Sequence, residues 1–302
     1  MTEKLSEKPR FSIVIPTYNA ELLLYDCLEA LCDQATPQSS FEIIVVNDGG
    51  NKEISENITS LKCRVPIKYF YQTNSGPAAA RNLGIARAKG DVVIFLDDDS
   101  LPTPTWLNAT MAAWDTYSNL DGIGGYIKKD SRDTIYCRVN ADFFNWYLNY
   151  YSKNGRQPFL ATCNASYKKD ILRKVGNFDE KFKKPAGEDR DLNIKISQLG
   201  GRLKLDDSIL VYHDRDLTLI KFAKKYYNYG KFAKTIYSRY PHHNRISKKD
   251  YFDLFASILK EYKSIREKLS VFFLITLSQL STIIGYYSTV IRKMSMQVLQ
   301  SD

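Results

Sequence analysis

Residues Asp91-Val-Val-Ile-Phe-Leu-Asp97-Asp98-Asp99-Ser100 join a run of apolar side chains to three consecutive carboxylates. The run from Val92 to Leu96 does not alternate with polar residues, which is typical of a central parallel strand buried on both faces. In open α/β sheets, ligands bind at the carboxyl ends of such strands. Adjacent acids repel one another unless a cation lies among them, and Mg²⁺ or Mn²⁺ suits oxygen ligands and phosphates. We therefore predict a metal-held diphosphate here; a solvated acidic loop that caps the next helix is the alternative.

Strand and helix signals alternate on the N-terminal side of this stretch. Phe11 to Ile15, Glu42 to Val46 and Ile67 to Tyr71 are apolar runs that predict strands. Gly76 to Ala88 is rich in alanine and has Pro77 where the first turn of a helix tolerates proline. The series predicts an α/β fold built on a mostly parallel, doubly wound sheet.

Polar clusters follow three of the predicted strands. They are Thr17-Tyr18-Asn19, Asn47-Asp48 and Asp97-Asp98-Asp99. If the strands are parallel, these clusters share one edge of the sheet, where a ligand would bind. Their common position is a stronger signal than any single cluster.

The second half of the chain has a mixed pattern up to residue 216. Gly122 to Ile127 and Ile209 to His213 predict strands, Phe159 to Tyr167 looks extended, and Glu188 to Leu199 predicts a helix. Aromatic residues near Phe143 suit a helix packed in a core better than a sugar-stacking surface.

Charge and cysteine content limit the classes of protein. Residues 1–216 carry 28 basic and 29 acidic side chains, whereas residues 217–302 carry 15 basic and 5 acidic ones. The five cysteines are odd in number and never spaced as CxxC, so we expect reduced thiols rather than a disulfide scaffold or a zinc site. The charged N-terminal residues lack an apolar segment, and we expect no signal peptide and a cytoplasmic protein.

Five motifs in order resemble glycosyltransferase family 2, whose members adopt the GT-A fold. The motifs are Pro16-Thr-Tyr-Asn19, Val46-Asn-Asp-Gly-Gly50, Asn74-Ser-Gly-Pro-Ala-Ala-Ala-Arg-Asn-Leu-Gly84, Phe95-Leu-Asp-Asp-Asp99 and Gly187-Glu-Asp-Arg-Asp-Leu192. Each motif is weak alone, but five in register are strong. The resemblance covers roughly residues 10–215. It implies a catalytic domain over residues 1–216, with a nucleotide-sugar-binding half at about 10–105 and an acceptor half at 106–216, followed by a helical tail at 217–302.

The resemblance also implies roles for individual residues. The nucleotide-sugar-binding candidates are Pro16, Thr17, Tyr18, Asn19, Asp48, Asn74, Arg81, Asp97, Asp98 and Asn164. In the family, the acid matching Asp48 reads the uracil or thymine edge and the arginine matching Arg81 lies near the base and ribose. Asp97 and Asp98 would contact ribose or phosphate, and Asp99 would bind the Mn²⁺ or Mg²⁺ ion. The stretch Asn47-Asp48-Gly49-Gly50 departs from the usual Asp-Asp-Gly-Ser but keeps the second acid.

Several of these residues could instead have purely structural roles. Asp48 could shape a turn with the two glycines that follow it, Arg81 could be an exposed helix residue, and Asn19 could cap the next helix. His213, which ends the last predicted strand, is either a further metal ligand or a hydrogen-bonded structural residue.

Glycosyl transfer needs stabilisation of the leaving diphosphate and a general base for the acceptor hydroxyl. The family pattern makes Asp189 the preferred base and Glu188 the second candidate, in a single displacement with inversion. Acids are also common in the first turn of a helix, where the dipole stabilises them, so a purely structural role is the alternative. We expect Asp191 to be structural and to pair with a nearby base.

The tail after residue 216 is basic and aromatic. Val271 to Ile291 is a 21-residue run without a charge, between basic flanks. The run could span a bilayer, but its serine and threonine content favours an interfacial or partner-packing helix, on the inner face of the membrane. A self-packed or oligomerising tail is the alternative.

The predicted function is transfer of a sugar from a UDP- or dTDP-sugar to a hydroxyl of a glycan or lipid-linked glycan, as in polysaccharide or cell-envelope synthesis. A catalytically silent nucleotide-sugar-binding or membrane-associated scaffold is the alternative. Nucleic-acid binding is not expected, because the acids at the strand ends would repel phosphate without a metal.

Overall fold

A computed structural model of the chain describes residues 8–36, 40–130, 133–153, 158–213, 217–241 and 246–298. The chain forms two compact units. The sheet unit contains Met1–Lys128 and Tyr151–His213, and the helical unit contains Lys129–Tyr150 and Asp214–Asp302. The helical unit therefore takes in residues 129–150, which the sequence analysis assigned to the acceptor half.

The described part of the sheet unit is built on one mixed eight-stranded sheet. The strands are β1 (Phe11–Thr17), β2 (Phe41–Asp48), β3 (Ile67–Gln72), β4 (Val92–Phe95), β5 (Leu101–Pro102), β6 (Gly122–Ile127), β7 (Ala165–Lys168) and β8 (Leu203–Tyr212). Their order across the sheet is β3-β2-β1-β4-β7-β6-β8-β5. The β3-β2-β1-β4 half is parallel throughout. The other half is mixed: β7 runs antiparallel to β4 and β6, and β8 is parallel to β6.

Helices cover the sheet and connect its strands. They are α1 (Glu21–Asp33), α2 (Ile54–Thr59), α3 (Pro77–Arg87), α4 (Trp106–Thr116), α6 (Lys169–Lys174) and α7 (Glu188–Gln198), and α5 (Ile135–Ser152) lies almost wholly in the helical unit. Neighbouring residues of a strand pack on opposite faces: Ile94 belongs to one core cluster, and Val93 and Phe95 to the other. Both faces of β4 are thus buried, as the unbroken apolar run predicts.

Three local predictions need correction. Within the stretch from Phe159 to Tyr167, strand pairing starts only at Ala165, and β8 begins six residues before the predicted Ile209. Cys32 and Cys63 form a disulfide, so the expectation of reduced thiols throughout is wrong for this pair. The fold brings their Cα atoms to 4.9 Å across a sequence separation of 31, a proximity that the spacing of the cysteines does not reveal. The other three cysteines are buried and are not part of a disulfide.

The helical unit packs α5 against α8 (Leu219–Arg239), α9 (Lys248–Lys260) and α10 (Ile265–Val298). Its core includes Phe143, Phe222, Leu254 and Leu274, so core packing is confirmed for Phe143. The segment Ile265–Thr289 of α10 is long and apolar enough to cross a membrane, with a mean hydropathy of 1.6 and 33% of its most apolar window buried.

Candidate active site

The three acids that follow β4 lie where strand pairing brings distant residues together. Leu101 of β5 pairs with Tyr212 of β8, so that Asp99 and His213 become neighbours although 114 positions separate them. The Asp99 carboxylate lies 3.0 Å from Nδ1 of His213, and the Ser100 hydroxyl lies 3.5 Å from the same nitrogen. The structure thus brings the two predicted metal ligands together.

Asp97 joins this pair. Oxygen or nitrogen donor atoms of Asp97, Asp99 and His213 all lie within 4.8 Å of one another, and all three residues are partly exposed. Two carboxylates and an imidazole form a donor set that suits Mn²⁺ and other borderline divalent ions. The residues therefore fit a cation. Asp97, which was predicted to contact the nucleotide, comes close to Asp99 through a turn that the 3.0 Å bond from the backbone N–H of Ser100 to the Asp97 carbonyl closes.

Negative charge accumulates at this edge of the sheet. Burial and the neighbouring charge of Asp99 raise the pKa of Asp98 to about 7. Like charges at close range disfavour ionisation, and a bound cation reverses this effect. The repulsion among the acids thus favours a bound cation, as the donor set does.

Arg81 connects α7 to the candidate metal-ligand cluster, which consists of Asp97, Asp99 and His213. Its guanidinium donates one hydrogen bond of 2.7 Å to Asp97 and another of 2.9 Å to Glu188, and it lies 5.7 Å from the centroid of the Phe178 ring. The side chain is only 4% exposed. Burial alone would lower the pKa of Arg81, but the charges of Asp97 and Glu188 raise it. The alternative of an ordinary exposed helix arginine is therefore wrong.

The segment before α7 places Glu188 and Asp189 in different surroundings. Gly187, in the left-handed region with φ +93°, is the N-cap of the helix. Glu188 is buried, and its second oxygen accepts a 2.9 Å bond from the backbone N–H of Ala186. Asp189 is half-buried, and burial together with the charge of Glu188 raises its pKa to about 7. A carboxylate with this pKa suits proton transfer near neutral pH.

Asp191 has the structural role that the sequence analysis expected. The side chain is fully buried, and its carboxylate lies 3.0 Å from the ammonium of Lys195, one turn further along α7. The Asp189 carboxylate accepts a 2.7 Å bond from the backbone N–H of Arg190, so the three acids in the first turn of α7 have three different partners.

Asp48 orders the loop that leads into α3. Its carboxylate accepts hydrogen bonds of 2.7 Å from Gln72, 2.8 Å from the backbone N–H of Ser75 and 2.8 Å from that of Gly76. Asp48 therefore has a structural role, but in the loop before α3 and not only in a turn with Gly49 and Gly50. This loop contains the exposed Asn74. A contact of Asp48 or Asn74 with a nucleotide base stays a prediction.

The residues at the end of β1 form the neighbouring part of this edge. Pro16 is half-buried, Thr17 is buried, and Tyr18 and Asn19 are exposed. Asn19 has φ +54°, and its side chain makes no cap bond to α1, whose N-cap is Ala20. The capping alternative for Asn19 is therefore not supported, and its role toward a nucleotide stays a prediction.

Asn164 lies in the interior of the sheet unit. Its amide oxygen accepts a 2.9 Å bond from the indole of Trp106, and its amide nitrogen donates to the carbonyls of Tyr126 and Ile209. These bonds tie α4 to β6 and β8. The structure assigns Asn164 a scaffold role, and a contact with donor sugar or acceptor stays a prediction.

Comparison with known proteins agrees with the geometry. Residues 12–176 match the model of the Glycosyl transferase family 2. The chain is 29% identical over 235 residues to a hyaluronan synthase of Pasteurella multocida, covering 67% of this chain and 24% of that protein. It is 36% identical over 223 residues to the validoxylamine A glucosyltransferase of Streptomyces hygroscopicus subsp. limoneus, covering 65% and 49%. The chain thus spans between a quarter and a half of the length of these relatives.

Solved structures show the same fold at low sequence identity. The mannosyltransferase PcManGT of Pyrobaculum calidifontis, in complex with GDP-Man and Mn²⁺, superimposes with a TM-score of 0.62 at 17% identity, over 93% of this chain and 85% of that one. A structure of S. aureus TarS 1-349 in complex with UDP has a TM-score of 0.53 at 18% identity, over 92% and 89%. The predicted GT-A fold is confirmed. With a family match over more than half of its length, this chain belongs to Glycosyl transferase family 2.

Proposed function

We propose that this enzyme transfers a sugar from a nucleoside diphosphate sugar to a hydroxyl of a glycan or lipid-linked glycan, by a single displacement that inverts the anomeric carbon. One observation carries the proposal. The buried Arg81 bonds both to Asp97 of the metal-ligand cluster and to Glu188, the neighbour of Asp189. A cation-binding edge and a carboxylate of raised pKa are thereby held in one network, and both halves of the reaction need such groups.

The donor half of the site consists of the acids after β4 and the residue after β8. Asp97, Asp99 and His213 would hold the divalent cation, and Asp98 would contact the ribose or phosphate. When bound, the cation supplies Lewis-acid stabilisation of the negative charge on the departing diphosphate. The nucleoside would lie at the neighbouring strand ends, beside Pro16, Thr17, Tyr18, Asn19, Asp48 and Asn74.

The acceptor half centres on Asp189. Its carboxylate takes the proton of the acceptor hydroxyl as the acceptor oxygen bonds to the anomeric carbon. The bond between that carbon and the diphosphate oxygen breaks, and its electron pair leaves with the nucleoside diphosphate. Glu188 is less suited to this role because both of its oxygens already accept protein hydrogen bonds. Its buried charge instead helps to keep the pKa of Asp189 near 7.

A uridine or thymidine diphosphate sugar is the proposed donor. The S. aureus TarS structures in complex with UDP and UDP-GlcNAc support this choice, although PcManGT was solved with GDP-Man. The hyaluronan synthase among the relatives supports a glycan acceptor. We place the enzyme in the cytoplasm, at the inner face of the membrane, because the tail is basic.

The assignment of Asp189 is tested by release of nucleoside diphosphate from a panel of UDP-, dTDP- and GDP-sugars in the presence of Mn²⁺. Asp189→Asn is expected to keep donor affinity and to lower kcat by about 10²–10⁴, because the hydroxyl proton has no acceptor. Asp170→Asn is the matched control. Asp170 is also the second residue of its helix, and it is exposed.

Three results are informative. Loss of turnover in Asp189→Asn alone supports the proposal. Near-normal turnover in Asp189→Asn would remove Asp189 from the base role. Absence of release by the wild-type protein from every donor, with donor binding retained, would favour the silent binding module.

A further inference from the structure

Helix α10 has a continuous apolar face that the rest of the described helical unit leaves exposed. Its members are each more than half exposed: Ile265, Leu269, Phe272, Phe273, Leu280, Ile283, Ile284 and Tyr287. Their three- and four-residue spacing places them on one side of the helix. The face is about 33 Å long at 1.5 Å per residue. We call it the outer face of α10. An apolar patch of this size marks an interaction surface.

The opposite face of α10 is fixed by close packing. Val271, Leu274 and Ile275 belong to the core of the helical unit. A Cβ added to Gly285 would lie 1.9 Å from the carbonyl oxygen of Tyr227, and one added to Gly230 would lie 1.9 Å from that of Thr282. The backbones of α8 and α10 therefore touch at their crossing. This packing sets the rotation of α10, so the outer face points consistently away from the core.

Hydroxyl groups on α10 are bonded back to the helix itself. Thr276, within the outer face, donates a 2.8 Å bond to the carbonyl of Phe272, and Ser270 donates a 3.1 Å bond to that of Arg266. Burial of a hydroxyl in an apolar medium is costly unless it is hydrogen-bonded. The outer face can therefore enter such a medium without leaving these two groups unsatisfied.

Basic side chains flank the N-terminal end of the outer face. Lys260, Lys263 and Arg266 are exposed. The same segment contains two acids: Glu267 lies 3.2 Å from Arg138, and the exposed Glu261 lies 3.8 Å from Lys129, which also bonds to Asp142. Further along the helix, the Lys234 ammonium lies 5.4 Å from the ring centroid of Tyr286. An apolar face with basic flanks is complementary to an anionic lipid surface.

We propose that the outer face of α10 docks the protein on an anionic bilayer, with the helix lying in the interfacial plane. A second copy of the chain suits this face less well, because its basic flanks would meet like charges. A spanning orientation suits it less well too. The opposite face of α10 is packed on α8, whose five lysines would be drawn into the hydrocarbon. This inference deepens the proposed location at the inner face of the membrane and does not depend on the transfer reaction.

Vesicle co-sedimentation of the full chain tests the proposal. We expect binding to vesicles of equal parts phosphatidylcholine and phosphatidylglycerol at low salt, little binding to phosphatidylcholine alone, and release at high salt. Ile284→Asp places a charge in the apolar face and is expected to weaken binding by about tenfold or more. Leu199→Asp is the matched control, because both residues are 61% exposed and Leu199 lies in the sheet unit.

The contribution of the basic flank is measured with a second pair of variants. Lys260→Gln/Lys263→Gln is expected to weaken binding to the anionic vesicles by about 30-fold, since each lysine near such a surface contributes about fivefold to the affinity. Lys62→Gln/Lys174→Gln removes the same charge from exposed positions of the sheet unit. This control is expected to bind as the wild-type protein does.

Circular dichroism and Tm measurements establish that each variant is folded, and Ile283→Ser replaces Ile284→Asp if the latter is not. Equal binding by Ile284→Asp and the wild-type protein would overturn the proposal. So would resistance of binding to high salt, which indicates a spanning helix, or a lipid-free dimer that Ile284→Asp dissociates. Donor turnover without lipid reports separately on the transfer reaction, so failure of one proposal is distinguishable from failure of the other.

Discussion

At the scale of single residues, Arg81 carries the longest-range connection in the site. It bonds to Asp97, 16 residues away, and to Glu188, 107 residues away. Both contacts are charge-assisted, and the planar guanidinium lets one side chain serve two carboxylates at once. Removal of the arginine leaves Glu188 buried without its countercharge, and this is costly in a low-dielectric interior. Arg81 therefore positions the acids in addition to any contact with the nucleotide.

Arg81→Lys is expected to lower kcat/KM by about tenfold or more and to lower Tm, because an ammonium does not reproduce the two-carboxylate geometry. Arg87→Lys is the control. It lies on the same helix, is exposed, and contacts only the ring of Phe70 among the described interactions. Steady-state kinetics and thermal unfolding measure both effects. Equal losses in the two variants would show that Arg81 has no special role.

The raised pKa of Asp189 predicts how activity depends on pH. The base acts as a carboxylate, so kcat/KM is expected to rise with pH through about 7 and then level off. Glu188→Gln removes a negative charge that raises this pKa, and the rise is expected to move to lower pH. A pH–rate profile of each protein measures the shift. An unchanged or higher midpoint in Glu188→Gln would contradict this account of Asp189.

The raised pKa of Asp189 also makes the stability of the folded protein depend on pH. Its pKa in the folded protein, about 7, lies above the ordinary value of 3.8. The folded state therefore binds the proton more tightly than the unfolded state. The stabilisation is complete below pH 3.8 and is lost as pH rises through about 7. Asp189→Asn cannot ionise and is expected to raise Tm relative to wild type more above pH 7 than below it. Tm measured across this range tests the sign, and an equal change at all pH values would refute it.

At the scale of elements, the parallel half of the sheet was predictable, whereas in the mixed half only β6 and the end of β8 were. Strands β1, β2 and β4 are short apolar runs between turn residues, and their pattern alone indicates burial on both faces. Strand β7 has only four residues and β5 only two, too few for a periodic signal. Their pairing depends on contacts between segments that are distant in sequence. In the candidate metal-ligand cluster, Asp99 and His213 were predicted as ligands, whereas Asp97 is brought beside them by the turn after β4, whose conformation the sequence does not specify.

The close packing where α8 crosses α10 predicts how a substitution at Gly230 changes the stability of the protein. Gly230→Ala should stabilise an isolated helix, since alanine has the higher helix propensity by about 1 kcal/mol. In the folded protein the added methyl group would lie 1.9 Å from the carbonyl oxygen of Thr282, so the two helices must separate. We expect a net destabilisation of about 1–3 kcal/mol. Ser270→Ala, at an exposed position of α10, is the control, and denaturant unfolding is the measurement. A gain in stability in Gly230→Ala would contradict the close packing.

At the scale of the whole molecule, charge is divided along the chain. The first 216 residues are nearly neutral, whereas the last 86 carry a threefold excess of basic over acidic groups. The division separates two tasks: a cation-binding edge needs uncompensated carboxylates, and an anionic surface needs uncompensated bases. The sequence alone indicated this separation. It did not indicate that residues 129–150 pack with the tail, because the aromatic residues of α5 look equally suited to either core.

The central claim is that Asp97, Asp99 and His213 hold a divalent cation that secures the nucleotide. Titration calorimetry of UDP and dTDP with the wild-type protein, with Mn²⁺ and after chelation, tests it most directly. We expect binding that requires Mn²⁺ and is weakened by about 10-fold to 100-fold in Asp99→Asn and His213→Ala, whereas Asp170→Asn binds normally. Equal nucleotide affinity with and without the metal, or in Asp99→Asn and wild type, would contradict the account.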